Sequence, residues 1–352
     1  MISFRAIAMV VLALLAVPAV SQTAAVPKMQ GQVVIGIPGG TLGQELRDRI
    51  NAFTKPLGVE AVYVEGTAND LLAKARVQKN NPQMDLLYGN DRTFALAKSL
   101  GLLEKLDPAL VPNLAKVRPQ FRDAEGYGQF FDFNTVGLCY RTDKFAEAGL
   151  AKPSTFMIYG DPALKGRGVI FNPTVTYGYL LLTGLAMGAG KDESDIASAW
   201  PKLEQFLANK AVVVSTPGQA DTMIAQGDAW IAVCPAVRAK LARDQGLPVG
   251  FAIMKEGAIG FPDFLGPVRG AKNVAAAQRI INHMISTDVQ TLRASDVAQA
   301  PVIADVAMTP DIKERLGFER DKPLPNFYVT NVDVVNRQLD QWVERFNRAV
   351  AR

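Results

Sequence analysis

Short β-rich runs alternate with stretches of helical spacing, twice in succession, and few folds accommodate that order. Gln32-Val33-Val34-Ile35-Gly36-Ile37 is the first β-rich run, and Pro38-Gly39-Gly40-Thr41 turns out of it. Leu42, Leu46, Ile50 and Phe53 then recur on one helical face. Gly58 to Val64 reads as a second strand, Asn69 to Lys79 as a helix and Asp85 to Tyr88 as a third strand. The pattern resumes with strands at Val169–Phe171, Val212–Val214, Trp230–Cys234 and Val249–Met254. Helices near Tyr177–Met187, Ala199–Leu207, Thr222–Gln226 and Pro235–Asp244 separate them. Strands alternating with helices at this spacing build βα units around a largely parallel sheet. Two such sets predict an α/β chain with two lobes. Two late helices follow, marked by Val274, Ala277, Ile281 and Met284 and by Val335, Leu339, Trp342 and Phe346.

The first residues bear on compartment. Arg5 precedes an apolar run from Ala6 to Val20, which ends in Ser21-Gln22-Thr23-Ala24-Ala25. A charged start, a short apolar stretch and a small-residue exit are the parts of a secretory signal peptide. The run falls short of the roughly 20 apolar residues that span a bilayer. Residues 1–25 are therefore set apart, with cleavage expected after Ala24 or Ala25. Most of the 352 residues remain, enough for two domains with cores. The net charge of +4 is too mild to argue for nucleic acid, and no basic cluster carries interleaved aromatics. Cys139 and Cys234 each sit in a strand-like run, and two buried free thiols are expected rather than a bond.

Catalytic machinery is nearly absent from the sequence. A single histidine, His283, leaves little room for a His-based triad or a His-rich zinc site, and a structural or surface role is expected of it. There is no G-x-S-x-G, P-loop or C-x-x-C motif. No cofactor and no metal are expected. Gly39-Gly40, between a strand and a helix, can offer backbone N–H groups to an anion or serve as a tight turn alone. Gly260-Phe261-Pro262-Asp263-Phe264 reads as a loop, in which an Asp between aromatic faces suits an ammonium group.

Several segments together resemble the spermidine/putrescine-type solute-binding proteins of bacterial ABC importers. They are Gly137-Leu138-Cys139-Tyr140-Arg141-Thr142-Asp143, Asp161-Pro162-Ala163-Leu164-Lys165-Gly166, Gln226-Gly227-Asp228-Ala229-Trp230-Ile231-Ala232 and the stretch from Phe264 to Asn273. The resemblance covers essentially the whole chain after residue 25. It implies a two-lobed periplasmic-binding-protein fold of type II, with the ligand closed between lobes joined by crossing strands. The implied division is residues 29–133 with 262–305 for lobe 1 and 134–261 with 306–352 for lobe 2. It also implies a monomer in the periplasm, a small-molecule solute and a cognate ABC permease as partners, with hinge closure and no bond making.

Departures from the polyamine pattern bear on the ligand. Asp263 keeps the amine-reading carboxylate, while Phe261 replaces the expected Trp. No acid stands in Asn172-Pro173-Thr174-Val175-Thr176-Tyr177, and Arg92 appears in Gly89-Asn90-Asp91-Arg92. An arginine fork matches two oxygens of an anionic group at once. The expected solute is therefore zwitterionic: an ω-amino acid, an amino-acid-like compound or an aminophosphonate. Its ammonium is expected at Asp263 against Phe261, and its anionic group at Arg92 with Thr41, Gly40 and Gly39. Asn90, Thr176 and Tyr177 complete the expected site. A polyamine is the alternative ligand. Ferric ion, suggested by Tyr177 and Tyr179, and a secreted enzyme are the more distant readings. N-terminal sequencing of the exported protein should return a start near Ala25 or Val26, and a chain that begins at Met1 would overturn the signal peptide.

Overall fold

The computed structural model describes residues 31–318, 321 and 327–351, without the side chain of Thr41. The expected signal peptide lies outside the described residues. Among the described residues ten strands form one hydrogen-bonded sheet. They are β1 (Gln32–Ile37), β2 (Glu60–Glu65), β3 (Leu86–Asn90), β4 (Gln129–Arg141), β5 (Gly168–Phe171), β6 (Val212–Val214), β7 (Ile231–Pro235), β8 (Val249–Ala252), β9 (Ala258–Pro267) and β10 (Phe327–Val329). The order along the path is β2-β1-β3-β9-β4-β7-β5-β6. β10 lies on β9 and β8 lies on β4.

The fold is α/β, as expected. Parallel pairs β1–β2 and β1–β3 build one half, and β5–β6 and β5–β7 the other. The two halves meet at β4 and β9, which run antiparallel to each other. From Gln129 to Thr135, β4 pairs with β9; from Val136 to Arg141 it pairs with β7 and β8. One strand thus serves both halves. The approach of β4 and β9 requires glycine at position 260, where a Cβ would lie 2.2 Å from the Asn134 carbonyl oxygen.

β9 corrects the reading of Gly260–Phe264 as a loop. All ten residues from Ala258 to Pro267 are buried in a strand. Gly, Pro and Asp are poor strand formers, and Pro lacks the N–H that a ladder uses. Here the neighbouring strand is irregular: Phe130 pairs with Phe264 and Asp132 with Asp263, so Phe131 is the extra residue of a bulge. Phe131, Phe133 and Phe264 are wholly buried around this junction. Each side chain of that kind contributes roughly 1.5–3 kcal/mol by leaving water.

The cysteines are a second correction. Cys139 and Cys234 form a disulfide, with Cα atoms 5.7 Å apart. β4 and β7 are antiparallel neighbours in which Cys139 faces Ala232 and Gly137 faces Cys234. The two cysteines are therefore diagonal partners, a relation set by strand pairing rather than by sequence spacing. His283 plays the structural part expected: its ring stacks on Phe53 at 4.5 Å. Among the described residues no helix is long and apolar enough to cross a membrane.

The disulfide closes a loop with a sequence separation of 95 residues. Replacing both cysteines by Ala should cost about 2–5 kcal/mol of stability. Denaturant titration of oxidised, reduced and substituted protein checks this, and equal midpoints would refute a stabilising cross-link.

Candidate functional site

Six helix N-termini and the crossing strands surround one cavity of about 640 Å³. The parallel strands end there, as at Ile37 of β1 and Pro235 of β7, and helices begin at once. Such switch points are where open α/β sheets bind ligands. Three of the N-termini are closed by their own side chains. Thr67 and Asp70 form a capping box, Asn90 and Thr93 another, and Thr216 and Gln219 a third. The other three, entered through Gly39, Val175 and Pro235, have no side-chain cap. First-turn N–H groups without such caps, and the positive end of the helix dipole, favour an anionic group. Gly40 takes φ +72°, a conformation that L side chains rarely adopt.

One wall carries a buried carboxylate. Asp263 lines the cavity and accepts a hydrogen bond from Asn134 Nδ2 at 3.0 Å and another from the Tyr88 hydroxyl. Its backbone N–H donates to Asp132 Oδ1 at 3.1 Å. Asp132 is held by Arg293, whose Nη2 lies 2.7 Å from its Oδ2. Arg293 also pairs with Glu45 and donates to Gln299, which in turn donates to Asn134 Oδ1 at 3.2 Å. Burial pushes Asp132 up to about 6, against the pull of Arg293. Asp263 has no such direct cation. Burial, then the charge of Asp132, pushes its carboxyl well above the usual carboxylate range. Ionisation is therefore favoured at Asp132 over Asp263.

The opposite wall carries a partly buried cation. Arg238 lines the same cavity from the first turn of the helix Ala236–Asp244. Its guanidinium pairs with Asp221, and its Nε donates to the Tyr177 hydroxyl at 3.2 Å. Tyr177 and Phe261, with ring centroids 6.2 Å apart, link the two walls.

The structure brings Asp263, Phe261, Gly39, Asn90, Thr176 and Tyr177 to this cavity. Gly40 lines the adjoining cavity, and Thr41 follows it in the helix Gly40–Thr54. Arg92 is not brought there. Its Nε donates to Asn336 Oδ1 at 2.9 Å, on the C-terminal helix Val332–Val350. Asn90 caps the helix Asp91–Ser99 at the cavity, and Arg92, two residues on, is turned about 200° around the axis. The arginine of the cavity is Arg238. Tyr88, Asn134, Glu65 and Asp70 line it as well and were not foreseen. Glu65 pairs with Arg47, and Asp70 is held by Thr67. Of the tyrosine pair behind the ferric reading, Tyr177 lines the cavity, whereas Tyr179 is fully buried.

A cleft at the carboxyl ends of two parallel strand sets, with two strands crossing between them, defines the class of periplasmic binding proteins. The solved structure of an ABC transporter from Clostridium perfringens ATCC 13124 superposes with a TM-score of 0.70 at 23% identity, covering 90% of this chain and 99% of that one. The binding protein AfuA of Actinobacillus pleuropneumoniae, with fructose-6-phosphate bound, has a TM-score of 0.69 at 19% identity, covering 91% of this chain and 99% of that one. Residues 48–319 match the bacterial extracellular solute-binding proteins, and the chain belongs to that family. It is also 22% identical over 258 residues to the spermidine/putrescine-binding periplasmic protein of Escherichia coli K12, covering 72% of this chain and 71% of that protein.

A raised carboxyl gives a signed stability prediction. An acid with a folded pKa above its unfolded value stabilises the fold fully below the unfolded pKa, and that stability is lost as pH rises through the folded pKa. Asp263→Asn keeps the neutral shape without the titration. Its stability relative to the parent should therefore rise between pH 4 and pH 8. Denaturant titrations at the two pH values read the difference, and a gap that is constant or shrinks toward pH 8 would refute the raised carboxyl of Asp263.

Proposed function

We propose that the chain is the solute-binding receptor of an ABC importer and works in the periplasm as a monomer. It captures a small zwitterionic solute and hands it to a membrane permease, without making or breaking bonds. Family membership supports the receptor role. The observation that carries the ligand class is the pairing of walls: buried Asp263 on one side of the cavity, partly buried Arg238 on the other. The ammonium meets Asp263, with Phe261 against the adjoining carbon chain. The anionic group meets Arg238 and the uncapped N-termini at Gly39, Val175 and Pro235. Arg238 takes the role that the sequence reading gave to Arg92.

Closure is a hinge motion about the crossing strands, with the lobe boundary between Thr135 and Val136, where β4 changes partners. The helix Val332–Val350 lies against helices of both halves, Asp91–Ser99 and Ala199–Ala208. Binding of the ammonium drives the proton from Asp263, so affinity falls as pH drops below the pKa of the empty site.

A polyamine is the second reading. Glu65 and Asp70 lie on the rim of the same cavity and could take a second ammonium if released from Arg47 and Thr67. Calorimetric titration with an ω-amino acid, an aminophosphonate and putrescine separates the two. Removing one partner of a buried charge pair costs about 2–5 kcal/mol, roughly 30- to several-thousand-fold in affinity. Asp263→Asn should lose that factor for every amine. Arg238→Gln should lose it only for solutes with an acid group, with thermal melting to show that each variant is folded. Tight putrescine binding indifferent to Arg238→Gln would restore the polyamine reading.

A further inference from the structure

A second cavity, of about 360 Å³, opens beside the first. Arg238, Tyr177, Pro217, Gly39 and Leu42 line both, so the two adjoin across these residues. The second cavity runs between the helices Pro217–Gln226 and Ala236–Asp244, over β7. Small residues leave the space unfilled: Gly218, Ala220 and Ala225 from one helix, Ala242 from the other. Ile224, Leu241, Val233 and Val249 supply apolar walls, and the Cys139–Cys234 disulfide lies at its base. Protein interiors contain few voids larger than a water molecule. An apolar cavity of about 150 Å³ already admits benzene. At the junction Arg238 pairs with Asp221, joining the two helices.

We propose that this pocket is an apolar side-chain subsite, and that the solute carries a branched alkyl or aryl arm beside its charged head. The assignment rests on the reading of the adjoining cleft as the solute site. The head lies between Asp263 and Arg238, and the arm passes Arg238 and Tyr177 to lie between the two helices. The geometry suits an α-amino acid with a large apolar side chain or a conjugate of similar shape, since the charged groups and the arm then diverge from one carbon. Putrescine and short ω-amino acids have no such arm and leave the pocket empty.

The test uses the full protein and two kinds of probe. Phenol, uncharged at pH 7, tests the pocket without a head. It should shift the methyl NMR signals of Ile224, Leu241 and Val249, and Ala220→Leu or Ala242→Leu should remove those shifts. Ala220 is buried and Ala242 only partly so, so the second variant guards against misfolding of the first. Alanine and phenylalanine, which share one head, test use of the pocket by a solute. Phenylalanine should bind about 10- to 100-fold tighter than alanine, as burial of an aryl arm predicts, and Ala242→Leu should erase the advantage while alanine binding stays unchanged. Phenol that leaves the three methyl signals unmoved would overturn the subsite. So would phenylalanine that binds, but no tighter than alanine. Phenol entry with neither amino acid bound would instead overturn the α-amino-acid head and leave the apolar pocket standing.

Discussion

Two carboxylates face each other across the strands that join the halves of this molecule. Asp132 of β4 and Asp263 of β9 are direct cross-strand partners in a buried sheet, an arrangement that repels when both are ionised. The fold resolves the conflict unequally. Arg293, itself held by Glu45 and Gln299, gives Asp132 a cation, and Asp263 is left with Asn134, Tyr88 and the open cavity. An unpaired acid at the crossing point is a poor contribution to stability. It would become favourable beside a cation, the part proposed for the ammonium of the solute. In that proposal the hinge and the binding group are the same pair of strands, so that occupancy would be sensed where the chain bends.

The rest of the site follows from how α/β halves are built. Parallel strands deliver their helix N-termini to one edge, so two such halves set edge to edge enclose a cleft rich in N–H groups. Side-chain caps at Thr67, Asn90 and Thr216 quiet three of these ends. The remaining three make the cleft receptive to an anion, and Arg238 adds full charge. Asp221 and Tyr177 hold that guanidinium in place, which would limit the ordering cost of the anion binding proposed there.

Much of the fold was legible because it rests on local periodicity. The six residues from Gln32 to Ile37 form the expected strand, and the helices at Val274 and Val335 form on the predicted apolar faces. Asp263 was legible through its aromatic setting. What failed depended on long-range pairing or rotation. The Gly260–Phe264 segment was read as a loop because its strand character comes from the flanking β3 and β4, not from its own residues. Arg92 has the right chemistry on the wrong face, since the direction of a helix's first turn depends on the strand that feeds it. Arg238 was hidden among the basic residues of an ordinary helix, and only the ending of β7 at Pro235 turns its start toward the cleft.

The disulfide has a consequence beyond stability. Both cysteines line the apolar pocket, and their bond cross-links β4 to β7. A chain kept in a reducing compartment would carry two thiols there, with more latitude for β4 and β7 to shift and for the pocket to change shape. In the proposed subsite, the surface that would distinguish one apolar arm from another is finished by oxidation. Selectivity, and not only folding, would then be completed in an environment where that bond can form.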